Sequence, residues 1–237
     1  MPCQGAVYLA RFSTPAVPRS YLMPVVTRIV TQKRRENRRN IFLDGKFAFG
    51  CNVNVVATFR LRKGMNLSDE QLRAIEQGEV RQECLDKAME HLGRRLHSRA
   101  ELHRKLMRRE YGDSIVNAVL DELTILGYVN DARFAKTRAL SAAEHRKHGK
   151  RRAILELLKR GVQADVARSA LDQVYDAHDT LAVAKQLAAR QAPRLRKLDP
   201  QVARRRLVGM LQRRGFDYED IRPVVDEFLG KHTVDER

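Results

Sequence analysis

A pattern of apolar residues recurs three times along the chain. Its central leucines are Leu106, Leu157 and Leu211, which are separated by steps of 51 and 54 residues. Each leucine is followed five positions later by a large apolar residue, and then by apolar positions with the period of a helix. Self-similarity at this spacing is typical of tandem helical units that stack on one another, and it argues against one closed globular core.

Local start and stop signals divide this array into helices. Ser98 and Glu101 have the spacing of a capping box. Gly127 is a typical stop for a helix over Ser114–Leu126, and Asn130 can cap the helix that follows. We interpret the polar cluster at Asn130, Asp131 and Arg133 as capping and ion pairing rather than as a binding site. Three further signals predict a helix over Val80–Gly93, a break at Gly149 and a boundary over Gln191–Pro200.

Between Val25 and Gly50 the apolar period changes to two, which is typical of β-strands. Asp44-Gly45 between alternating apolar runs predicts a hairpin, because both turn positions favour positive φ. We predict a polar turn over Arg34–Arg38, and helices over Asn52–Phe59 and Ser68–Ile75, the second opened by a capping box. These elements make a small β-rich cap ahead of the helices.

The predicted boundaries follow from these signals. Residues 1–23 contain three prolines and no long apolar run. We interpret them as disordered or, because Met23 directly precedes the first periodic segment, as a mis-annotated start. The other boundaries are 24–78 for the cap, 79–128, 129–178 and 179–230 for three three-helix modules, and 231–237 for a frayed tail. The predicted fold class is therefore mainly α, an elongated tandem array behind a cap that contains a β-hairpin.

Positive charge is concentrated on the predicted repeats. The chain has 46 Lys and Arg against 29 Asp and Glu, a formal net charge of +17. Residues 94–109 hold seven cations and one acid, residues 133–160 ten and two, and residues 190–214 nine and one. A basic genome would spread its bias evenly, whereas this distribution favours a polyanionic partner.

The candidate partner-binding cations lie mostly next to the central leucines. Arg108, Lys159 and Arg213 follow their leucines by two positions, and the next residue is also an arginine in each case. Like charges spaced i,i+4 around Leu106 cost a few tenths of a kcal/mol each, which an anionic partner would offset. A merely solvated face is the alternative. The candidates are Arg99, Arg104, Lys105, Arg108, Arg109, Arg146, Lys147, Lys150, Arg151, Arg152, Arg204, Arg205, Arg213 and Arg214.

Other classes of protein find little support. Cys3, Cys51 and Cys84 form no Cys-x-x-Cys pair, so we expect neither a disulfide framework nor a zinc site. This cysteine usage predicts that the protein resides in a reducing cytoplasm. The sequence lacks an apolar run long enough to span a membrane. It also lacks the phosphate-loop, dinucleotide-binding, Gly-x-Ser-x-Gly and His-Glu-x-x-His patterns. We therefore expect no catalytic residues, no metal and no cofactor.

Three strings and the cap carry a family resemblance. The strings are Glu101-Leu102-x-x-Lys105-Leu106, Gly127-Tyr128-x-x-Asp131-x-Arg133-Phe134-Ala135 and Glu156-Leu157-x-x-Arg160-Gly161-Val162. Together with Leu43 to Gly50 in the cap they resemble the regulatory protein RecX family, and the similarity runs from Val25 to Leu229. Two departures are modest, since Asn130 replaces a usual acid and Glu110 stands where glycine is common.

The resemblance implies a function. It implies tandem three-helix modules without catalytic residues, which bind the RecA recombinase and lodge along the groove of the RecA–DNA filament. It also implies inhibition of recombinase and coprotease activity, in DNA repair, recombination and the SOS response. We expect a monomer without membrane contact, whose basic faces contact RecA, single- or double-stranded DNA, or both. The competing interpretation is a direct nucleic-acid-binding protein, associated with the nucleoid or with RNA, that uses the same basic helical faces.

Overall fold

The computed structural model of the chain describes residues 23–230. Within them the strands are β1 (Val26–Gln32), β2 (Arg35–Leu43) and β3 (Lys46–Asn52). The helices are α1 (Val53–Thr58), α2 (Asp69–Arg94), α3 (Arg99–Met107), α4 (Asp113–Ile125), α5 (Asp131–Leu140), α6 (Lys150–Lys159), α7 (Ala164–Tyr175), α8 (Thr180–Leu195), α9 (Pro200–Arg214) and α10 (Tyr218–Leu229). The predicted assignments for 1–22 and 231–237 lie outside the described residues.

The N-terminal cap is an antiparallel sheet in the order β1-β2-β3. The hairpin predicted at Asp44-Gly45 is confirmed, with φ values of 50° and 80°. One face of the sheet buries Val26, Ile41 and Phe49 in a core that also contains residues of α1 and α2. The backbone N–H of Asn52, at the end of β3, donates to Glu79 Oε2 of α2 at 2.7 Å. The sheet is therefore fixed to the long helix that leads into the repeats.

Two local predictions in the cap are wrong. The polar turn predicted over Arg34–Arg38 is only two residues long, because Gln32 pairs directly with Arg35 and β2 begins there. The helices predicted over Ser68–Ile75 and Val80–Gly93 are one helix, α2. Gly78 continues this helix, and its missing side chain leaves room for a ring: a Cβ there would lie 2.7 Å from Phe59 Cε2.

The repeat pattern corresponds to the buried side chains of helices α3, α6 and α9. The central leucines Leu106, Leu157 and Leu211 are all buried on these helices. Helices α5 to α7 enclose one apolar core and helices α8 to α10 another. The predicted tandem three-helix organisation is thus confirmed. The boundary predicted over Gln191–Pro200 is narrower, since α8 continues through Pro193 to Leu195.

Most of the predicted caps form. Asn130 Oδ1 accepts the Arg133 N–H at 2.8 Å, as expected for an N-cap. α4 ends at Ile125, and Gly127 follows it with φ +77°, the left-handed conformation expected at a helix stop. Only one of the two bonds of the capping box at Ser98 forms: Ser98 Oγ accepts the Glu101 N–H at 3.1 Å. The Glu101 carboxylate accepts hydrogen bonds from Arg95 and Arg160 instead. Glu110 has φ +62°, a left-handed backbone conformation that favours glycine.

The chain divides into two compact units. The first comprises the residues up to Arg94 together with His103–Leu123, and the second comprises Arg95–Leu102 together with the residues from Thr124 onward. The short segment Arg95–Leu102 belongs to the second unit because its side chains bond to the end of α6, as described below.

Candidate partner-binding surface

The repeated cations fall into two classes by exposure. Two residues past the central leucine, Arg108, Lys159 and Arg213 are all exposed to solvent. No ion pair of these three side chains occurs within residues 23–230. The same cation therefore reaches solvent once in every module.

The next position in each module behaves differently. Arg109 is exposed, but Arg160 and Arg214 are only partly exposed. Arg160 pairs with Glu101 near the start of α3, and Arg214 bonds to Arg146 just before α6. The residues that follow them, Gly161 and Gly215, have φ values of +81° and +85°. The left-handed residue ends the helix and exposes its last carbonyl groups for hydrogen bonds.

We call the first of these contacts joint 1, formed by Arg95, Ser98, Glu101 and Arg160. Ser98 Oγ donates to the carbonyl oxygen of Arg160 at 2.7 Å. The Glu101 carboxylate accepts Arg95 Nη1 at 2.9 Å and also pairs with Arg160. Burial opposes ionisation of Glu101, but its bonds to the two arginines outweigh burial and lower its pKa. Joint 1 therefore contains an ionised carboxylate between two cations.

We call the second contact joint 2, formed by residues 146–152 and 213–217. The Gly149 N–H donates to the Arg214 carbonyl oxygen at 2.8 Å, and the Arg151 N–H donates to that of Gly215 at 3.2 Å. Arg214 Nη1 returns a bond to the Arg146 carbonyl oxygen at 3.1 Å. The free N–H groups at the start of α6 are thus satisfied by the free carbonyl groups at the end of α9.

The basic run 145–152 is largely paired inside the chain. Lys150 Nζ lies 2.7 Å from Asp172 Oδ1, and Arg151 pairs with Asp217. Arg146 and Arg152 both contact Glu156. Burial raises the pKa of Glu156, but the arginines and His148 outweigh burial and lower it. Lys147 Nζ donates to Gln186 Oε1 at 2.8 Å. This run therefore has a structural role in joint 2.

Positive potential remains in excess around joint 1. Burial lowers the pKa of Arg138, and the neighbouring charges of Arg160, Arg146 and Arg95 lower it further, while Glu101 opposes them. Among the charges that act on Arg138, three arginines outnumber the single acid, Glu101. This part of the surface would consequently attract an anion.

An arginine-lined groove lies between α8 and α9. Its volume is about 620 Å³, and its floor is apolar, with Leu195, Leu198, Leu207 and Met210. Four arginines border it: Arg194, Arg205, Arg206 and Arg213. Two of them were candidates from the sequence, whereas Arg194 and Arg206 were not, because the repeat pattern does not mark their positions. The groove would accept an acidic or phosphorylated partner with an apolar part.

The remaining candidates lie on α3 and α9. Arg104 is exposed and Lys105 is half-buried on α3, while Arg99 is half-buried at its start. Arg204 pairs with Asp226 and donates to the Gly230 carbonyl oxygen at 3.0 Å, so it ties α9 to α10. Lys159, which the candidate set omitted, is exposed at the repeated position on α6.

Metal and membrane sites are not found in the described part of the chain. Among residues 23–230 no group of three or more His, Cys, Asp and Glu side chains could hold a metal ion. No helix in the same range is long and apolar enough to cross a membrane.

Comparison with known families accounts for nearly every element. Residues 24–68 match the regulatory protein RecX N-terminal domain. Residues 84–123, 130–171 and 178–225 match the first, second and third RecX three-helix domains. The chain belongs to the RecX family.

Curated RecX relatives cover most of this chain. The regulatory protein RecX of Bacillus subtilis (strain 168) is 30% identical over 216 residues, which are 90% of this chain and 80% of that protein. RecX of Clostridioides difficile (strain 630) is 29% identical over 213 residues, 90% of this chain and 100% of that protein. The similarity thus extends over all three RecX repeats and the cap.

Solved RecX structures share the fold. A crystal structure of regulatory protein RecX has a TM-score of 0.72 at 23% identity and covers 87% of this chain and 98% of its own. A structure of RecX from Lactobacillus salivarius has a TM-score of 0.57 at 20% identity, with coverage of 64% and 97%. The three-helix modules and the β-cap are therefore features of the RecX fold.

Proposed function

We propose that this RecX family member is a non-enzymatic regulator that binds RecA and the RecA–DNA filament and inhibits recombinase and coprotease activity. The family relationship supports the regulatory role. The physical support is the cation that reaches solvent once per module, at Arg108, Lys159 and Arg213. A nucleoprotein filament is a regular polymer of negative charge, and cations that recur once per module suit such a partner.

The proposal extends to location and state. The filament forms on DNA in the cytoplasm, so the chain acts there. It acts as a monomer, and its three modules span 79–128, 129–178 and 179–230. Cys51 and Cys84 are unpaired and buried, as suits a reducing compartment. The arginine-lined groove between α8 and α9 is the docking site that we assign to the third module.

The test uses a matched pair of triple variants. In the first, Arg108→Glu, Lys159→Glu and Arg213→Glu reverse the repeated cations. In the second, Arg62→Glu, Arg73→Glu and Arg168→Glu reverse three exposed cations outside that pattern, with the same change in net charge. RecA-catalysed ATP hydrolysis on single-stranded DNA is the readout, with the regulator below one chain per RecA monomer.

The repeated-position variant should lose inhibition, whereas the control should keep most of it. Because all six side chains are exposed, both variants should retain wild-type helicity by circular dichroism. Equal loss in both variants would mean that net charge alone acts, and full inhibition by the first variant would refute the proposed surface.

A direct nucleic-acid binder is the second candidate, and the net charge of +17 favours it. It predicts DNA affinity that does not depend on RecA and that falls steeply with salt. Measuring DNA binding with and without RecA over a salt series separates the two functions, because only a RecA-directed regulator binds DNA more tightly when the recombinase is present.

A further inference from the structure

The solvent face of the cap sheet carries aromatic rings that the core does not use. Ile29, Ile41 and Phe49 pair across the three strands and face the core. The neighbouring row, on the other face, consists of Arg28, Phe42 and Phe47. Phe47 is two residues from Phe49 and joins this row because a β-bulge shifts the β2–β3 register between Ile41 and Phe42. We call this row the aromatic platform.

The platform has a defined geometry. The Arg28 guanidinium carbon lies 4.0 Å from the centre of the Phe42 ring. The Phe42 and Phe47 rings meet edge to face, with centroids 5.8 Å apart and planes at 78°. Phe47 is 58% exposed and Val30, in the next row, is 40% exposed. A flat cation and an exposed ring thus lie side by side on an open surface.

Polar groups and cations surround the platform. In the row of Val30, the Asn40 Oδ1 atom accepts a hydrogen bond from Gln32 Nε2 at 2.7 Å, above the bare Cα of Gly50. The β1–β2 turn and the first residue of β2 continue the surface with three exposed cations, Lys33, Arg34 and Arg35. Residues 23–50 hold seven Lys and Arg against two acids, Glu36 and Asp44, and one of the seven, Arg38, pairs with Glu79 and Glu83 of α2. The rings therefore lie in a basic region.

We infer that the aromatic platform binds single-stranded nucleic acid, by stacking an unpaired base on Phe47 and placing its phosphates beside Arg28 and the β1–β2 turn. Exposed aromatic side chains on a cationic surface are the usual means of binding unpaired bases. From Arg28 to Lys33 the strand rises about 17 Å, enough to accompany a few nucleotides of an extended strand. A duplex hides its base faces and would gain only the phosphate contacts.

Charge favours this occupant over a protein. A protein hot spot would use the same rings, but the surrounding net positive charge suits a polyanion. The inference does not rest on the proposed action on RecA, because it concerns the cap and is measured without RecA.

The experiment compares two probes of equal length and charge by fluorescence anisotropy: a short oligothymidylate and a phosphodiester of abasic residues. The full chain should bind oligothymidylate about fivefold or more tightly than the abasic strand, as expected from one stacked base. Phe47→Ala should abolish this preference and leave affinity for the abasic strand unchanged. Tyr218→Ala, which removes an aromatic residue 63% exposed on α10, should keep the preference.

A second variant, Phe47→Leu, and a second probe, oligouridylate, complete the experiment. If Phe47→Ala disturbs the cap, Phe47→Leu retains apolar contact with Phe42 and removes the ring face, so it should also lose the preference. Oligouridylate in place of oligothymidylate distinguishes RNA from DNA as the natural strand. Equal affinity of the wild-type chain for both probes, or a preference that survives both Phe47 variants, would overturn the inference. So would loss of RecA inhibition in Phe47→Ala with unchanged oligonucleotide binding, because it would indicate a protein partner.

Discussion

Gly149→Ala tests whether joint 2 holds the second and third modules together. Gly149 has φ −73° and ψ 165°, which alanine adopts without strain. A Cβ at this position would nevertheless lie 2.1 Å from the Gly215 carbonyl oxygen and 2.5 Å from the Phe216 backbone nitrogen. Since these are backbone atoms, no side-chain rotation relieves the overlap. The two helix ends must separate by about 1 Å.

The magnitude follows from what separation breaks. The bonds from the Gly149 and Arg151 N–H groups, 2.8 and 3.2 Å long, are each worth about 0.5–1.5 kcal/mol. Overpacking adds about 1–3 kcal/mol. Alanine returns up to about 1 kcal/mol by restricting the unfolded chain. We therefore expect the free energy of unfolding to fall by about 1–6 kcal/mol.

The assay is urea unfolding followed by circular dichroism, together with hydrogen exchange of the peptide that contains residues 146–153. Gly149→Ala should unfold at lower urea, and its Gly149 and Arg151 amides should exchange faster. Gly209→Ala is the control, because its Cβ would meet only the flexible end of Arg213 at 3.2 Å. It should be neutral or stabilising by up to about 1 kcal/mol. If both variants unfold at the wild-type midpoint with unchanged exchange, joint 2 does not exist in solution.

Two further predictions concern ionisable groups. Glu101→Gln should cost about 1–3 kcal/mol at neutral pH, because it removes the charge between Arg95 and Arg160. The folded pKa of Glu101 is lowered, so its contribution is complete above the ordinary value near 4.5 and is lost as pH falls through the folded value. Urea midpoints measured below pH 4.5 should accordingly converge for the variant and the wild type, and a constant difference would contradict this role. Burial raises the pKa of Cys51 to about 12 and that of Cys84 to about 11. In a Cys3→Ser background, iodoacetamide at mildly alkaline pH should label these thiols only after denaturant is added, whereas rapid native labelling would show that the cap does not pack on α2 as described.

Interactions within a few residues were predictable from the sequence. The Asp44-Gly45 turn, the Asn130 cap and the box at Ser68 and Gln71 all form, because each depends on bonds between residues at most three apart. The burial of Leu106, Leu157 and Leu211 was also predictable, since a stripe of helical period needs an apolar core.

Element lengths in the cap depended on packing. Gly78 has the local character of a helix breaker, yet α2 continues through it because the Phe59 ring packs against the glycine. The charged start of β2 extends the strand, because pairing of Arg35 with Gln32 satisfies its backbone. At Gly78 a neighbour distant in sequence therefore outweighed local preference.

Only the tertiary structure distinguished exposed cations from structural ones. Arg213 and Arg214 are adjacent and chemically identical, but the first borders a groove and the second bonds to the Arg146 carbonyl oxygen, 68 residues away. The aromatic platform likewise depends on strand register, which brings Arg28, Phe42 and Phe47 into one row. The sequence by itself thus determined the modules, their helices and their total charge, because these depend on composition and local period. The fold decided where each charge and ring is presented, because that depends on contacts between residues far apart along the chain.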